Sequence, residues 1–600
     1  MRTPTITIGC GMVQGVDAIP VFVEATARHA SDGTPRLLGL VDACVREAYH
    51  RVLQAFFALE LPPPRGVTTV NFAPASLKKQ GSGFDLPLAL ALAGAAGLYD
   101  PELASGLFAF GEISLCGDVL PARGAVSVAI AARQQHAHAM VCSPADAGTC
   151  RVVDGLRLFA AKTLAEAVAW LASGAPDQIA PTASEQAGAG RCHTGQVVTD
   201  PLDSEVADAG PAAADPAAAE AGLTATTPAA TSPAETGFVN ADLPHSEPGG
   251  GGSASVAACA DLGDIRGHHT PKLALAVAAA GGHNLLFTGP PGTGKSAMIR
   301  RLPGILPPPT DQETLEILQV HAAAGLPVPP KVPPHVRARP MRAPHHTSSA
   351  ASLLGGGTYV RPGEVTLAHH GVLFLDELPE FRRDVLEAMR QPLEDGTVTV
   401  GRAHATVTMP ARFLLAAARN PCPCGFLGHR HRPCICTPAA QARYRNRLSG
   451  PLLDRLDLRL EVPALSPVEL RGPVEPGGTS AALRARVLAA HRRQQHRQAT
   501  HGIPPGGLQG PSDDAQHVRK FVPNARLEGE ALLRACDLPD DALQLVDEVL
   551  ERHQQSPRGR VRLLRVARTL ADLNDRESVA DVDILQAASL RGLDAERLHS

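Results

Sequence analysis

Short continuous apolar runs alternate along this chain with stretches whose leucines and alanines recur at helical spacing, the pattern of helices stacked on buried strands. In the amino-terminal part the pattern predicts a strand over Ile19 to Ala27, a helix from Leu38 to Ala58 and a strand over Val67 to Phe72. An Ala/Leu-rich helix after Pro87, a hairpin from Phe108 to Pro121 and a helix over Ala125 to Gln135 follow. Between 173 and 256 the pattern lapses into Ala, Pro, Gly, Thr and acids, ending in four consecutive glycines, Gly249 to Gly252. Such a segment buries too little apolar surface to offset its ordering entropy, which predicts a flexible linker. The pattern resumes as a helix over Pro271 to Ala280 and three buried runs, Asn284 to Thr288, Gly371 to Leu375 and Arg412 to Ala418. Five helical stretches close the chain: Ala481 to Arg497, Leu527 to Ala535, Asp541 to His553, Val561 to Leu573 and Val582 to Leu590. The expected domains are therefore 1–172, a linker at 173–256, a strand-rich core at 257–462 and a helical domain at 463–600.

What stands at the ends of the three core runs carries the chemistry. After the first comes Gly289-Pro290-Pro291-Gly292-Thr293-Gly294-Lys295-Ser296, which fits GxxxxGK[ST] at every fixed position and opens a helix that runs to Pro303. Backbone N–H groups freed by the glycines can close round a triphosphate, Lys295 can reach its β- and γ-phosphates, and the Ser296 hydroxyl can ligand Mg2+. The second run ends in Asp376-Glu377. Two acids at the end of a buried strand are costly unless they meet a cation, which places Asp376 beside the Mg2+ and Glu377 where it can polarise a water. Asn420, after the third run, can orient that water. The fold class implied is α/β, an additional-strand P-loop ATPase core of the AAA+ type with a helical carboxyl-terminal lid.

Composition adds constraints. Six hundred residues exceed one core and suggest three or four domains. Residues Met1 to Asp17 show no basic segment followed by an apolar one, and the longest apolar stretch, Leu86 to Tyr99, is too short to span a bilayer. The twelve cysteines, four of them clustered, fit a reducing cytoplasm better than a disulfide framework. The formal net charge of −4 hides a division: 173–256 holds eleven carboxylates against one Arg, so the rest of the chain carries +6. A mildly basic body is compatible with a polyanionic partner without demonstrating one.

Three further constellations stand out. Cys422-x-Cys424 and Cys434-x-Cys436 place four thiolates close enough to surround one structural Zn2+, although the spacing within each pair is tighter than usual; free thiols in a loop, or His429 or His431 replacing a ligand, are the alternatives. Between the phosphate loop and the acid pair, the glycines and Pro362-Gly363 predict an inserted hairpin. The pairs His345-His346 and His369-His370 near it are expected to splay to opposite sides of a strand, which argues against a metal site. A second hairpin, Glu394 to Met409, carries Arg402 and His404 near its tip, to grip phosphates or as an ordinary solvated turn. The helix face Ala490 to Arg497 reads as solvated.

Residues 1–172, with Leu77 to Pro87 feeding a helix, the 108–121 hairpin and the helix after it, resemble the proteolytic domain of Lon proteases, an α+β domain of the ribosomal S5-like type. The Ser and Lys of that catalytic dyad are missing: Gly83 stands at the nucleophile's turn position and no lysine follows the hairpin in Ala125 to Val128, although Ser82 and the nearby Lys78 and Lys79 are a conceivable displaced pair. The run Gly289 to Ser296, Arg342 to Ser348, Gly355 to Leu378, Glu394 to Ala403 and Asn420 to Gly425 resembles the magnesium-chelatase-like AAA+ ATPases of the YifB/ComM type over nearly the whole chain outside the linker. Gly401 departs from it, where Ser is expected. The resemblance implies a homo-hexameric, cytoplasmic ATPase using ATP and Mg2+, with no membrane association. Its ComM branch consists of DNA helicases that drive branch migration during natural transformation, which makes single-stranded or branched DNA the expected partner. It also implies that Arg455, in Leu452-Leu453-Asp454-Arg455, enters a neighbouring subunit's site, where the alternative is a local salt bridge to Asp454 or Asp457. Arg558, in Ser556-Pro557-Arg558, would approach the γ-phosphate from its own subunit, with Arg562, Arg565 and Arg568 competing for that role. A chelatase motor that remodels a tetrapyrrole enzyme and an ATP-dependent protease are the rival functions.

Overall fold

The computed structural model describes residues 5–28, 35–79, 81, 83–174, 260–326, 338–357, 360–402, 405–429, 432–472, 476–501 and 521–593. The linker, apart from Ser173 and Gly174, lies outside the described residues, as do Ser82, His404 and His431. The amino-terminal part is a mixed seven-stranded sheet in the order Arg36–Leu38, Val67–Ala73, Asp17–Arg28, Ile6–Gln14, Leu107–Phe110, Ala139–Cys142, Arg157–Ala160. Its first hairpin is antiparallel, and its last three strands run parallel. The helix expected from Leu38 starts later, at Ala43, because Asp42 caps it by accepting the Val45 N–H at 3.0 Å. Helix Asp85–Ala95 is buried on every side and packs into the core beneath the sheet.

The second sheet is entirely parallel, in the order Met341–Arg342, Val372–Leu375, Leu414–Arg419, Leu285–Thr288, Leu458–Glu461. The strand carrying Asn420 thus lies between the phosphate-loop strand and the acid strand. The three central strands are apolar and buried on both faces, as inner parallel strands are, while the edge strands Met341–Arg342 and Leu458–Glu461 carry charged, partly exposed residues. One face packs on helix His269–Gly281 and on the carboxyl-terminal helices Ser480–His501, Gly529–Cys536, Asp540–Arg552, Pro557–Leu573 and Asp581–Leu590, in one continuous core. The other face packs on the segment that follows the acid pair.

That segment is two short helices, Arg383–Ala388 and Arg390–Asp395, where one was expected. Antiparallel strands Thr397–Arg402 and Ala405–Pro410 follow. The inserted hairpin before the acid strand is small, Gly355–Gly356 against Arg361–Pro362. A further apolar cluster joins the two sheets' domains: Val16, at the turn of the first amino-terminal hairpin, packs with Val320 and Leu367 and with Val407 and Met409 of the Ala405–Pro410 strand. Gln319 Nε2 fixes the same turn by donating to the Val16 carbonyl and to Asp17 Oδ1, each at 3.0 Å. Among the described residues, no helix is long and apolar enough to cross a membrane.

Candidate nucleotide site

Strand Leu285–Thr288 ends at Gly289, whose backbone lies so close to its neighbour that a Cβ would sit 2.2 Å from the Val462 carbonyl oxygen. Gly292 and Gly294 hold φ of +80° and +83°, which lets the loop turn its amides inward before helix Lys295–Arg300 begins. Lys295 is buried, and its ammonium donates to the loop carbonyls of Gly289 and Pro290, both at 2.7 Å. Burial lowers its pKa, and the Asp376 carboxylate pulls it partly back.

A cavity of about 420 Å3 brings together Pro291 to Ala297, Asp376, Glu377, Arg419 and Asn420, a size in the range of small-molecule sites. Two cations, two hydroxyls, two carboxylates and an amide converge there, a set that contains the donors a magnesium triphosphate needs. Glu377 is half-exposed at φ +52°, a conformation that L residues adopt at a cost, while its N–H donates to Asp376 Oδ1 at 3.0 Å. A larger open groove of about 650 Å3 beside the Thr397–Arg402 strand is lined by Glu387, Glu394 and Asp395 against Arg390, so carboxylates outnumber cations along it.

Arg419 was not among the expected site residues. The third run begins as strand two residues later than expected, at Leu414, and ends one residue later, placing Arg419 at the strand's last position, where its Nε donates to Thr288 Oγ1 at 3.0 Å. His346 was also missed as a neighbour of the acid pair: its Nδ1 stands 3.5 Å from Glu377 Oε2. No local pattern signals that approach, since 31 residues separate the two in sequence.

Arg455 and Arg558 do not line this cavity. Arg455 pairs with Glu394, not with Asp454 or Asp457. Arg558 and Arg562 lie near enough to Arg455 to depress its pKa, after burial, which is the larger cause. Of the competing arginines, Arg562 approaches Asp454 at 3.5 Å, Arg565 donates to the Leu527 carbonyl at 2.7 Å, and Arg568 is fully buried against Asp572 at 2.8 Å. The face Ala490 to Arg497 is only partly solvated, because Gln494 is buried and Arg497 grips Asp572 at 2.7 Å.

The four clustered thiols converge. Sγ of Cys422 lies 3.4 Å from that of Cys424 and 3.6 Å from that of Cys434, and Cys436 Sγ accepts the Cys424 N–H at 3.4 Å. A tetrahedron with Zn–S near 2.3 Å needs sulfurs about 3.8 Å apart, so the loop fits the ion.

The histidine pairs do not splay. Ring centroids of His345 and His346 lie 4.1 Å apart, those of His369 and His370 4.0 Å, and none of the four is on a strand. His370 holds φ +56°, which swings its ring to the same side as that of His369, and both Nε2 atoms reach Glu316 Oε2, at 3.1 and 2.7 Å. This is still a poor metal site. His369 Nδ1 accepts the Arg412 N–H at 3.0 Å, so in the neutral ring Nε2 carries the proton and donates to the carboxylate.

In the amino-terminal domain a Cβ at Gly83 would lie 2.1 Å from the Phe110 ring, leaving no room for a serine there. Lys79 is fully buried and donates to the Gly39 carbonyl at 3.0 Å and to that of Pro74.

Comparison with known proteins agrees with this geometry. The family described as magnesium chelatase, subunit ChlI, matches residues 261–470, its ChlI subunit pattern matches 23–146, and its carboxyl-terminal pattern matches 477–591. These matches define a mixed α/β protein of the AAA+-type magnesium chelatase class. YifB of Salmonella typhimurium is 35% identical over 591 residues, covering 98% of this chain and 96% of that protein. Competence protein ComM of Haemophilus influenzae is 34% identical over 583 residues, 96% of either chain. A chloroplastic magnesium-chelatase subunit ChlI of Chlamydomonas reinhardtii is 30% identical over 156 residues, 23% of this chain and 37% of its own. The chain belongs to the magnesium-chelatase-like family that includes YifB and ComM.

Proposed function

We propose that this protein is an ATP-hydrolysing, homo-hexameric motor that acts on DNA, a branch-migration helicase that promotes DNA integration during recombination or natural transformation. The observation that carries the ATPase reading is the convergence of Lys295, Ser296, Asp376, Glu377 and Asn420 on one cavity. Lys295 exchanges the loop's own carbonyls for phosphate oxygens, and Glu377 and Asn420 hold and polarise the attacking water. Ser296 and Asp376 would hold Mg2+, which supplies charge neutralisation at the phosphates. Arg455 stands outside its own cavity and serves the neighbouring protomer's site, which makes turnover depend on the ring; Arg558 is assigned to phosphate sensing. Cys422, Cys424, Cys434 and Cys436 would hold one structural Zn2+ with no open position.

The DNA reading rests on the near full-length likeness to a competence protein and on the Thr397–Pro410 hairpin, which in a ring points into the channel. The domain layout proposed is a proteolytically inactive Lon-like domain at 1–172, a linker, an ATPase core at 257–462 and a helical lid at 463–600, in a cytoplasmic enzyme. Crowding at Gly83 supports an inactive domain over an ATP-dependent protease. A chelatase-type motor acting on a protein partner is the second reading, favoured by the ChlI patterns. ATPase rates with single-stranded, duplex and branched DNA at low salt test the proposal: stimulation by DNA is expected, and hydrolysis indifferent to all three overturns it.

A further inference from the structure

Asn284 stands at the entrance of the phosphate-loop strand, one residue before its first ladder position. Its main-chain carbonyl accepts the N–H groups of Asp457 and Leu458, both at 3.0 Å. The side chain reaches the other way as well. Oδ1 accepts the Leu415 N–H at 2.9 Å, and Nδ2 donates to the Arg455 carbonyl at 2.9 Å. The amide orientation is fixed by its partners, because an N–H must face the oxygen and a carbonyl must face the nitrogen.

One residue thus ties three things together: the strand that delivers the phosphate loop, the strand that delivers Arg419 and Asn420, and the turn on which Arg455 sits. No other side-chain hydrogen bond to the Arg455 main chain is present among the described residues. Without it, the turn between helix Gly450–Leu453 and strand Leu458–Glu461 keeps the Arg455 N–H to Leu452 carbonyl bond of 2.9 Å and the main-chain bonds of Asp457 and Leu458 to Asn284, but loses the side-chain tether at Arg455 itself. A displacement of about 1 Å at a catalytic cation is enough to cost about a hundredfold in rate.

We propose that Asn284 is a positioning residue for Arg455: by holding the Arg455 carbonyl to the base of the phosphate-loop strand, it sets where that guanidinium stands when it meets the neighbouring protomer's nucleotide. The proposal rests on the assignment of Arg455 to action in trans. Asn284→Asp retains an oxygen for the Leu415 N–H and turns a carboxylate oxygen on the Arg455 carbonyl; Asn284→Ser, shorter and uncharged, is the second variant. Both are expected to lower the full-length protein's kcat about tenfold or more while KM for ATP moves less than about twofold.

Mixed rings separate positioning from a merely structural role. Asn284→Asp protomers keep an intact phosphate loop, and Lys295→Ala protomers keep an intact Arg455. Their mixture is expected to hydrolyse ATP faster than the two alone added together, whereas Asn284→Asp mixed with Arg455→Ala gains nothing. No gain from Asn284→Asp with Lys295→Ala, while Arg455→Ala with Lys295→Ala does gain, overturns the role of Asn284. If that second mixture gains nothing either, the trans assignment itself has failed.

Discussion

His283 and Thr569 meet across the seam between the parallel sheet and the carboxyl-terminal helices, imidazole Nε2 to hydroxyl oxygen at 2.8 Å, both fully buried. His283 Nδ1 faces Asp457 Oδ2 at 3.3 Å, and Asn524 Nδ2 donates to Thr569 Oγ1 at 3.1 Å, so the hydroxyl is shared between sheet and helices. Thr569→Val takes this partner from the buried His283 Nε2, while Asn524 Nδ2 keeps its bond to Asp572 Oδ2 at 2.8 Å. The expected cost is about 1–3 kcal/mol of stability, read from urea unfolding, and an unchanged midpoint would show that the seam is held by packing alone.

Chemistry at the nucleotide cavity makes two variants behave differently. Lys295→Ala removes the ammonium that phosphates meet and is expected to abolish binding of a fluorescent ATP analogue. Glu377→Gln keeps the shape and the neighbouring Asp376, so binding persists while turnover falls by a factor of about 10² to 10⁴. Equal loss of binding in both would remove Glu377 from the chemical step.

Acid is expected to act through His369. Its burial, the largest cause, together with the adjacent His370 and Arg412, pushes its pKa down to about 4 although Glu316 opposes the shift. The folded chain therefore keeps this ring neutral while an unfolded imidazole takes up a proton near 6.5. Stability from this source is complete above about pH 6.5 and declines by about 3 kcal/mol as pH falls towards 4. Glu316, whose pKa is lowered by both histidines against the cost of burial, adds to the loss below its ordinary value of 4.5. Thermal unfolding between pH 7 and 4 should show a shallower slope in His369→Gln; parallel slopes would exclude this ring as the cause.

The four thiols make a compositional prediction. Purified protein should carry about one zinc per chain by elemental analysis. Cys434→Ser, which removes a sulfur within 3.6 Å of two others, should lower that content by more than about half. Protein free of zinc that unfolds at the same temperature with and without chelator would leave the cluster as free thiols.

Much of the nucleotide cavity was legible because its parts are local: a loop pattern, an acid pair and an Asn, each at the end of an apolar run. The order of the parallel strands was not legible, since periodicity records burial and not neighbours. Arg419 escaped notice because strand ends carry no sharp signal, and one residue more of strand brings a basic side chain into the cavity. The histidine pairs were misread for a backbone reason: adjacent rings diverge on a strand, but His370 is left-handed and its ring turns back onto that of His369. At Gly83 the sequence revealed only a missing nucleophile; the Phe110 ring explains why none fits. Asn284 looked like one more strand residue, and only long-range partners distinguish it.

The nesting of Val16 against Val407 and Met409 means that the ATPase portion cannot be cut free cleanly. Gly15, with φ +67°, lies so tightly against Val407 that a Cβ there would stand 2.5 Å from its Cγ1. A polypeptide begun after the linker would bare the greasy underside of its own second hairpin, inviting aggregation. The same contact fastens the root of that hairpin to the turn of the first amino-terminal hairpin, so a change at either end is felt at the other.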